Sequence, residues 1–178
     1  MQIVQRKREI HDTTNLMTCF SKDKLLNEKL FLKLEYPNVE KEMGGRIDRW
    51  LGIAVENQVE DLSLYIREPP MTSEELPSYR LPMILFSAKS LIRLNCSRVR
   101  VPCCPYVTLI SLQSLELSHL DIDEHMLQHI IRSCPLKKLW LVQCTGINDL
   151  SIPNYSKLEL LRVDSTIASS GSVEVETS

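Results

Sequence analysis

No apolar run in this sequence is long enough to cross a bilayer. Stretches such as Pro82–Phe86, "PMILF", fall far short of the ~20 residues a membrane helix needs. No apolar segment follows the basic Arg6, Lys7 and Arg8, so the amino end does not read as a secretory signal. Those three cations are too short a cluster to argue for nucleic acid and read as a solvated terminus. Neither charge sign dominates: the net charge is −2 and the pI about 6.1, which points away from nucleic-acid and anionic-membrane partners. There are only five glycines and no glycine-rich phosphate loop; Gly44-Gly45 reads as a turn ahead of a helix. The six cysteines include no CxxC pair, so no structural zinc site is expected. Without a secretory signal they read as reduced thiols, and the expected localisation is cytoplasmic and/or nuclear. The adjacent Cys103 and Cys104 are poorly placed for a mutual disulfide and read as loop packing.

Catalytic constellations are also missing. His11, His119, His125 and His129 lie in no recognisable nucleophile context. His125 and His129 are four apart on a helical pattern, yet no third metal ligand is near, and a solvated helix face is the better reading. The expectation is therefore a non-enzyme with no catalytic residues, no metal and no cofactor.

Leucine is abundant, and its spacing carries the information. "LIRLNC" places Leu91, Leu94 and Cys96; "LQSLEL" places Leu112, Leu115 and Leu117. "LKKLWL" places Leu136, Leu139 and Leu141; "LELLRV" places Leu158, Leu161 and Val163. The middle leucines 94, 115, 139 and 161 are 21, 24 and 22 residues apart. Both the period and the L-x-x-L-x-L pattern are those of a leucine-rich repeat. Upstream, Val59, Leu62 and Leu64 open a repeat stretched by the Pro-rich insert "EPPMTSEELPSYRLP" (68–82), which reads as a surface loop. "LFLKLEY" reads as a first strand with Leu30, Leu32 and Leu34 inward.

Between strands, Ile47, Trp50, Leu51, Ala54 and Val55 form one apolar stripe, as do Met126, Leu127, Ile130 and Ile131, with Asp123 as N-cap. Segment 98–110, with two prolines, is expected to be extended or irregular. The fold class is α/β: a partial, ribonuclease-inhibitor-like solenoid with a curved parallel sheet inside and helices outside. Residues 1–29 are expected to be a capping or linker segment, 30–165 the repeat domain, and 166–178 a polar tail or truncated repeat prone to fray. Cys144, at the repeat's small polar position, is expected to fit under the turn.

Alternation also names the outward side chains. If Leu139 and Leu141 are buried, Trp140 faces the open side of the sheet. The outward pairs read as Ser63 and Tyr65, Arg93 and Asn95, Ser114 and Glu116, Lys138 and Trp140, then Leu160 and Arg162. Of these, Tyr65, Arg93, Asn95, Glu116, Lys138, Trp140 and Arg162 are the candidate partner-binding residues of the concave face, with a protein as the bound species.

Three blocks resemble the repeat region of plant F-box/LRR proteins: "IDRWLGIAVENQVEDLSL" (47–64), "LPMILFSAKSLIRLNCSRV" (81–99) and "IIRSCPLKKLWLVQCTGINDLSI" (130–152). The resemblance covers roughly residues 30–165. It implies the substrate-recognition repeats of an SCF-type ubiquitin ligase subunit. No F-box is read ahead of residue 30, so a Skp-type adaptor and cullin are expected as partners only where an F-box lies upstream. The other expectation is a repeat scaffold, or a truncated and non-functional copy, with no ubiquitin role.

Overall fold

The computed structural model describes residues 29–35, 39–67, 79–104, 106–147, 158–164 and 173–176. Residues 1–28 of the expected capping or linker segment 1–29, most of the inserted loop (68–78) and residues 165–172 lie outside the described residues.

Seven strands form one sheet in sequence order: β1 (Lys29–Glu35), β2 (Asp61–Arg67), β3 (Arg93–Ser97), β4 (Ser114–Ser118), β5 (Lys138–Val142), β6 (Leu160–Asp164) and β7 (Val173–Glu176). β1 to β6 pair in parallel. Parallel neighbours need a crossover, and the helices described in two of these crossovers pack on the leucine face of the sheet. The leucine signature sets the register. Leu30, Leu62, Leu94, Leu115, Leu139 and Leu161 pair as one column. Leu32, Leu64, Cys96, Leu117, Leu141 and Val163 pair as the next. All but the half-buried Val163 are buried. A fully buried leucine contributes about 1.5–3 kcal/mol relative to an exposed one, so these columns dominate stability.

Two helices cover that face. α1 (Val39–Glu56) buries Met43, Ile47, Trp50, Leu51 and Ala54. It starts earlier than a turn at Gly44-Gly45 allows: both glycines lie inside the helix. Burial of Met43 one turn ahead of Ile47 offsets the low helical propensity of the glycine pair. At its other end, Gln58 takes φ 58°. Val59 N–H reaches Ala54 O at 3.1 Å and Gln58 N–H reaches Val55 O at 3.1 Å, a Schellman termination without glycine. α2 (Glu124–Ser133) is capped by Asp123, whose carboxylate accepts from Met126 N–H at 3.1 Å. It buries Met126, Leu127 and Ile130 in the same core. Segment 98–110 contains no helix among its described residues; only a 3-10 turn, Met83–Ser87, precedes β3.

Each of β3, β4 and β5 ends in a left-handed residue: Arg98 (φ 56°), His119 (φ 51°) and Gln143 (φ 51°). Their N–H groups donate to the next repeat, at Ser118 O (3.0 Å), Val142 O (2.8 Å) and Asp164 O (2.7 Å). The turn thus carries the ladder one step past the strand before the chain reverses. Cys144 sits below its turn with Sγ 3.4 Å from Leu117 O, and burial pushes its thiol up to about 11. β7 breaks the parallel rule by pairing antiparallel with β6. Its segment, Val173–Glu176, runs in the reverse direction from the repeat strands before it.

Candidate functional site

The face of the sheet opposite the leucine columns carries no helix among the described residues, and the odd-numbered strand positions of β1–β3 and the even-numbered ones of β4–β6 project from it. The register arranges them in three rows. One holds Lys29, Asp61, Arg93, Ser114, Lys138 and Leu160. The central row holds Phe31, Ser63, Asn95, Glu116, Trp140 and Arg162. The third holds Lys33, Tyr65, Ser97, Ser118, Val142 and Asp164.

The register sets the cross-strand neighbours of the outward residues: Tyr65 stands opposite Ser97, and Arg93 stands opposite Asp61. β2 is a seven-residue strand, two longer than β3, so it offers four outward positions. The buried pairs Leu62 with Leu94 and Leu64 with Cys96 choose which two align. Burial of the leucines outweighs any preference among the outward side chains.

Side-chain reach nevertheless brings several candidates together. Asn95 Nδ2 donates to Glu116 Oε2 at 2.9 Å and to Tyr65 Oη on its other side. The Tyr65 ring meets that of Phe31 with centroids 5.4 Å apart. Burial, then the nearby carboxylates of Glu116 and Asp61, holds the Tyr65 phenol above its usual range. Burial likewise holds the Glu116 carboxyl above the ordinary carboxylate range. At the far end of the row, the Arg162 guanidinium lies over Trp140, 6.0 Å from the ring centroid. Arg93 is tied to Asp61, Nε to Oδ2 at 3.1 Å, and Lys29 Nζ approaches the same carboxylate at 3.7 Å. Lys138 is exposed on the outer row, apart from this network.

Two polar atoms of the central row are shielded from water and have no partner: Asn95 Oδ1 and Trp140 Nε1. An atom of this kind costs about 1–3 kcal/mol unless a donor or acceptor meets it. Phe31 and Asp61 belong to the site although neither was among the candidates. The alternation of "KLFLKLE" already turns Phe31 outward, and Asp61 precedes Leu62 as Arg93 precedes Leu94.

The arrangement is suited to binding. Among the described residues no group of three His, Cys, Asp or Glu side chains could hold a metal ion. His125 is exposed and His129 half-buried on α2, on the opposite side of the core from the open face. Among the described residues no helix is long and apolar enough to cross a membrane.

Comparison with known proteins bears on the same array. A family model described as At1g61320/AtMIF1, LRR domain, matches residues 24–176. Over 124 residues the chain is 29% identical to the F-box/LRR-repeat protein At3g03360 of Arabidopsis thaliana, covering 66% of this chain and 24% of that protein. The chain thus spans about a quarter of the length of that relative. No solved structure matches.

Proposed function

The chain belongs to the At1g61320/AtMIF1 leucine-rich-repeat domain family, and on that premise we propose that its open sheet face holds a protein substrate for an F-box/LRR subunit of an SCF-type ubiquitin ligase. A protein-interaction repeat module is the coarser statement that the family and the F-box/LRR relative support directly. The ligase role is the finer reading. The observation that carries the choice of face is the central row, where Asn95, Glu116, Trp140 and Arg162, with Tyr65 reaching in from the neighbouring row, form two adjoining side-chain assemblies on a sheet face with no described helix over it. Parallel strands lie about 4.8 Å apart, so this row offers a continuous binding track across the repeats. Trp, Tyr and Arg are the side chains most enriched at interface hot spots. A Skp-type adaptor and cullin are partners only where an F-box lies upstream of the repeats. The expected compartment is the cytoplasm or nucleus, where SCF ligases act and the cysteines stay reduced.

Affinity capture from a plant extract with wild type, Trp140→Ala and His125→Ala tests the reading. His125→Ala, on the exposed side of α2, is expected to keep the captured proteins and Trp140→Ala to lose them. Loss in His125→Ala with retention in Trp140→Ala puts the binding surface on the helices. For the ligase role, proteins lost with Trp140→Ala are expected to be ubiquitylated by the reconstituted ligase; unmodified proteins leave only the interaction module.

A further inference from the structure

We propose that Glu116, seated between Asn95 and Trp140, is the receptor for a basic side chain, lysine or arginine, projected by the protein partner. This rests on the open-face reading above and names what that face selects.

The pairing of charges on the face points there. Asp61 is already met by Arg93 and Lys29. Arg162 is already placed over the Trp140 ring. Glu116 is the carboxylate that the parallel strands β1 to β6 place in the central row, and among the described residues no Lys, Arg or His lies within ion-pair distance of it. Its hydrogen-bond donor is the neutral amide of Asn95. A carboxylate held in a half-buried setting by one neutral donor is short of positive charge.

The network around Glu116 is short of donors as well. Asn95 Nδ2 serves both Glu116 and Tyr65, while Asn95 Oδ1 has no partner. An ammonium brings three donors and no acceptor, a guanidinium five and none. Either satisfies Glu116 directly and Asn95 Oδ1 after a turn of the amide. A partner carboxylate or phosphate brings only acceptors and meets Glu116 with repulsion.

Ring chemistry agrees with the charge. Asn95 and Trp140 flank Glu116 on the two neighbouring strands, so a side chain that reaches the Glu116 carboxylate from the open face lies beside both. Trp is the strongest cation-binding ring among the side chains. The Trp140 ring already carries one guanidinium from β6, and its neighbour on the β4 side is Glu116. A guest cation there has an aromatic wall and a counter-ion together.

Fluorescence anisotropy with labelled hexa-arginine and hexa-glutamate at low ionic strength provides the test. Hexa-arginine is expected to bind wild type, and E116Q to weaken it by at least about tenfold. E56Q, an equal charge change at the exposed end of α1, is expected to weaken it by less than about twofold. Circular dichroism is expected to show E116Q folded as wild type. Equal loss in both variants, equal binding of hexa-glutamate, or no binding of hexa-arginine overturns the proposal. If one of those results comes with Trp140-dependent capture of proteins, the open-face reading stands and the basic-anchor inference falls alone.

Discussion

The guanidinium of Arg162 lies over the ring of Trp140, 6.0 Å from its centroid, and joins β6 to β5 on the open face. Trp140 is half-buried, although both its chain neighbours, Leu139 and Leu141, are core residues on the opposite side of the sheet. Trp140→Ala is expected to weaken the protein partner by about 2 kcal/mol or more. The fold is expected to remain, because the leucine columns do not depend on this ring. Titration calorimetry with a partner identified by capture, beside a thermal melt, checks both halves. A variant that unfolds, or that binds as tightly as wild type, removes Trp140 as an anchor.

Glu116 makes stability fall as pH rises. Burial raises its folded-state pKa above the unfolded value near 4.5. Between those two pKa values the native state holds the proton that the unfolded state has lost, so folding is progressively disfavoured as pH increases through the window. Below it the contribution vanishes. Glu116→Gln is therefore expected to gain stability relative to wild type at neutral pH and to show a smaller difference below pH 4.5. Urea denaturation of both proteins at the two pH values measures this; a difference that grows toward acid would show that the carboxylate stabilises the fold through Asn95.

The thiols are expected to separate sharply in reactivity. Burial pushes Cys96 and Cys134 up to about 12 and Cys144 to about 11, while Cys103 is exposed. The thiolate is the nucleophile, so brief iodoacetamide treatment at about pH 8 is expected to label Cys103 and spare Cys96, Cys134 and Cys144 until denaturant is added. Peptide mass mapping reads the outcome. Early labelling of Cys96 would mean that β3 opens far more readily than its burial implies.

Two glycines are expected to respond in opposite directions. A Cβ at Gly45 meets no atom within 4 Å, so Gly45→Ala should stabilise α1 by about 0.5–1 kcal/mol. Gly146 has φ +83°, and a Cβ there collides with the carbonyl oxygen of Ile122. Gly146→Ala should destabilise by at least about 1–3 kcal/mol. Paired denaturant melts decide; a neutral Gly146→Ala would mean the loop shifts without cost.

The sequence by itself determined the repeat, the two leucine columns and the side of the sheet on which Trp140 lies. Period two within a strand and a near-constant step between strands admit one way to bury Leu94, Leu115, Leu139 and Leu161 together. The apolar stripes of α1 and α2 and the Asp123 cap were legible for the same local reason. Tertiary structure decided the rest. β2 has four outward positions, and only stacking against β3 sets Ser63, not Tyr65, opposite Asn95. No local propensity marks Arg98, His119 and Gln143 as left-handed; the carbonyls of the next repeat hold them there. Gly44 and Gly45 look like a break until Met43 is seen in the core. The contact that makes the candidate site, Asn95 between Tyr65 and Glu116, joins three strands whose residues are 30 and 21 positions apart. Alternation says which way a side chain points. Its neighbours across the sheet follow only when the buried face has locked the strands in register.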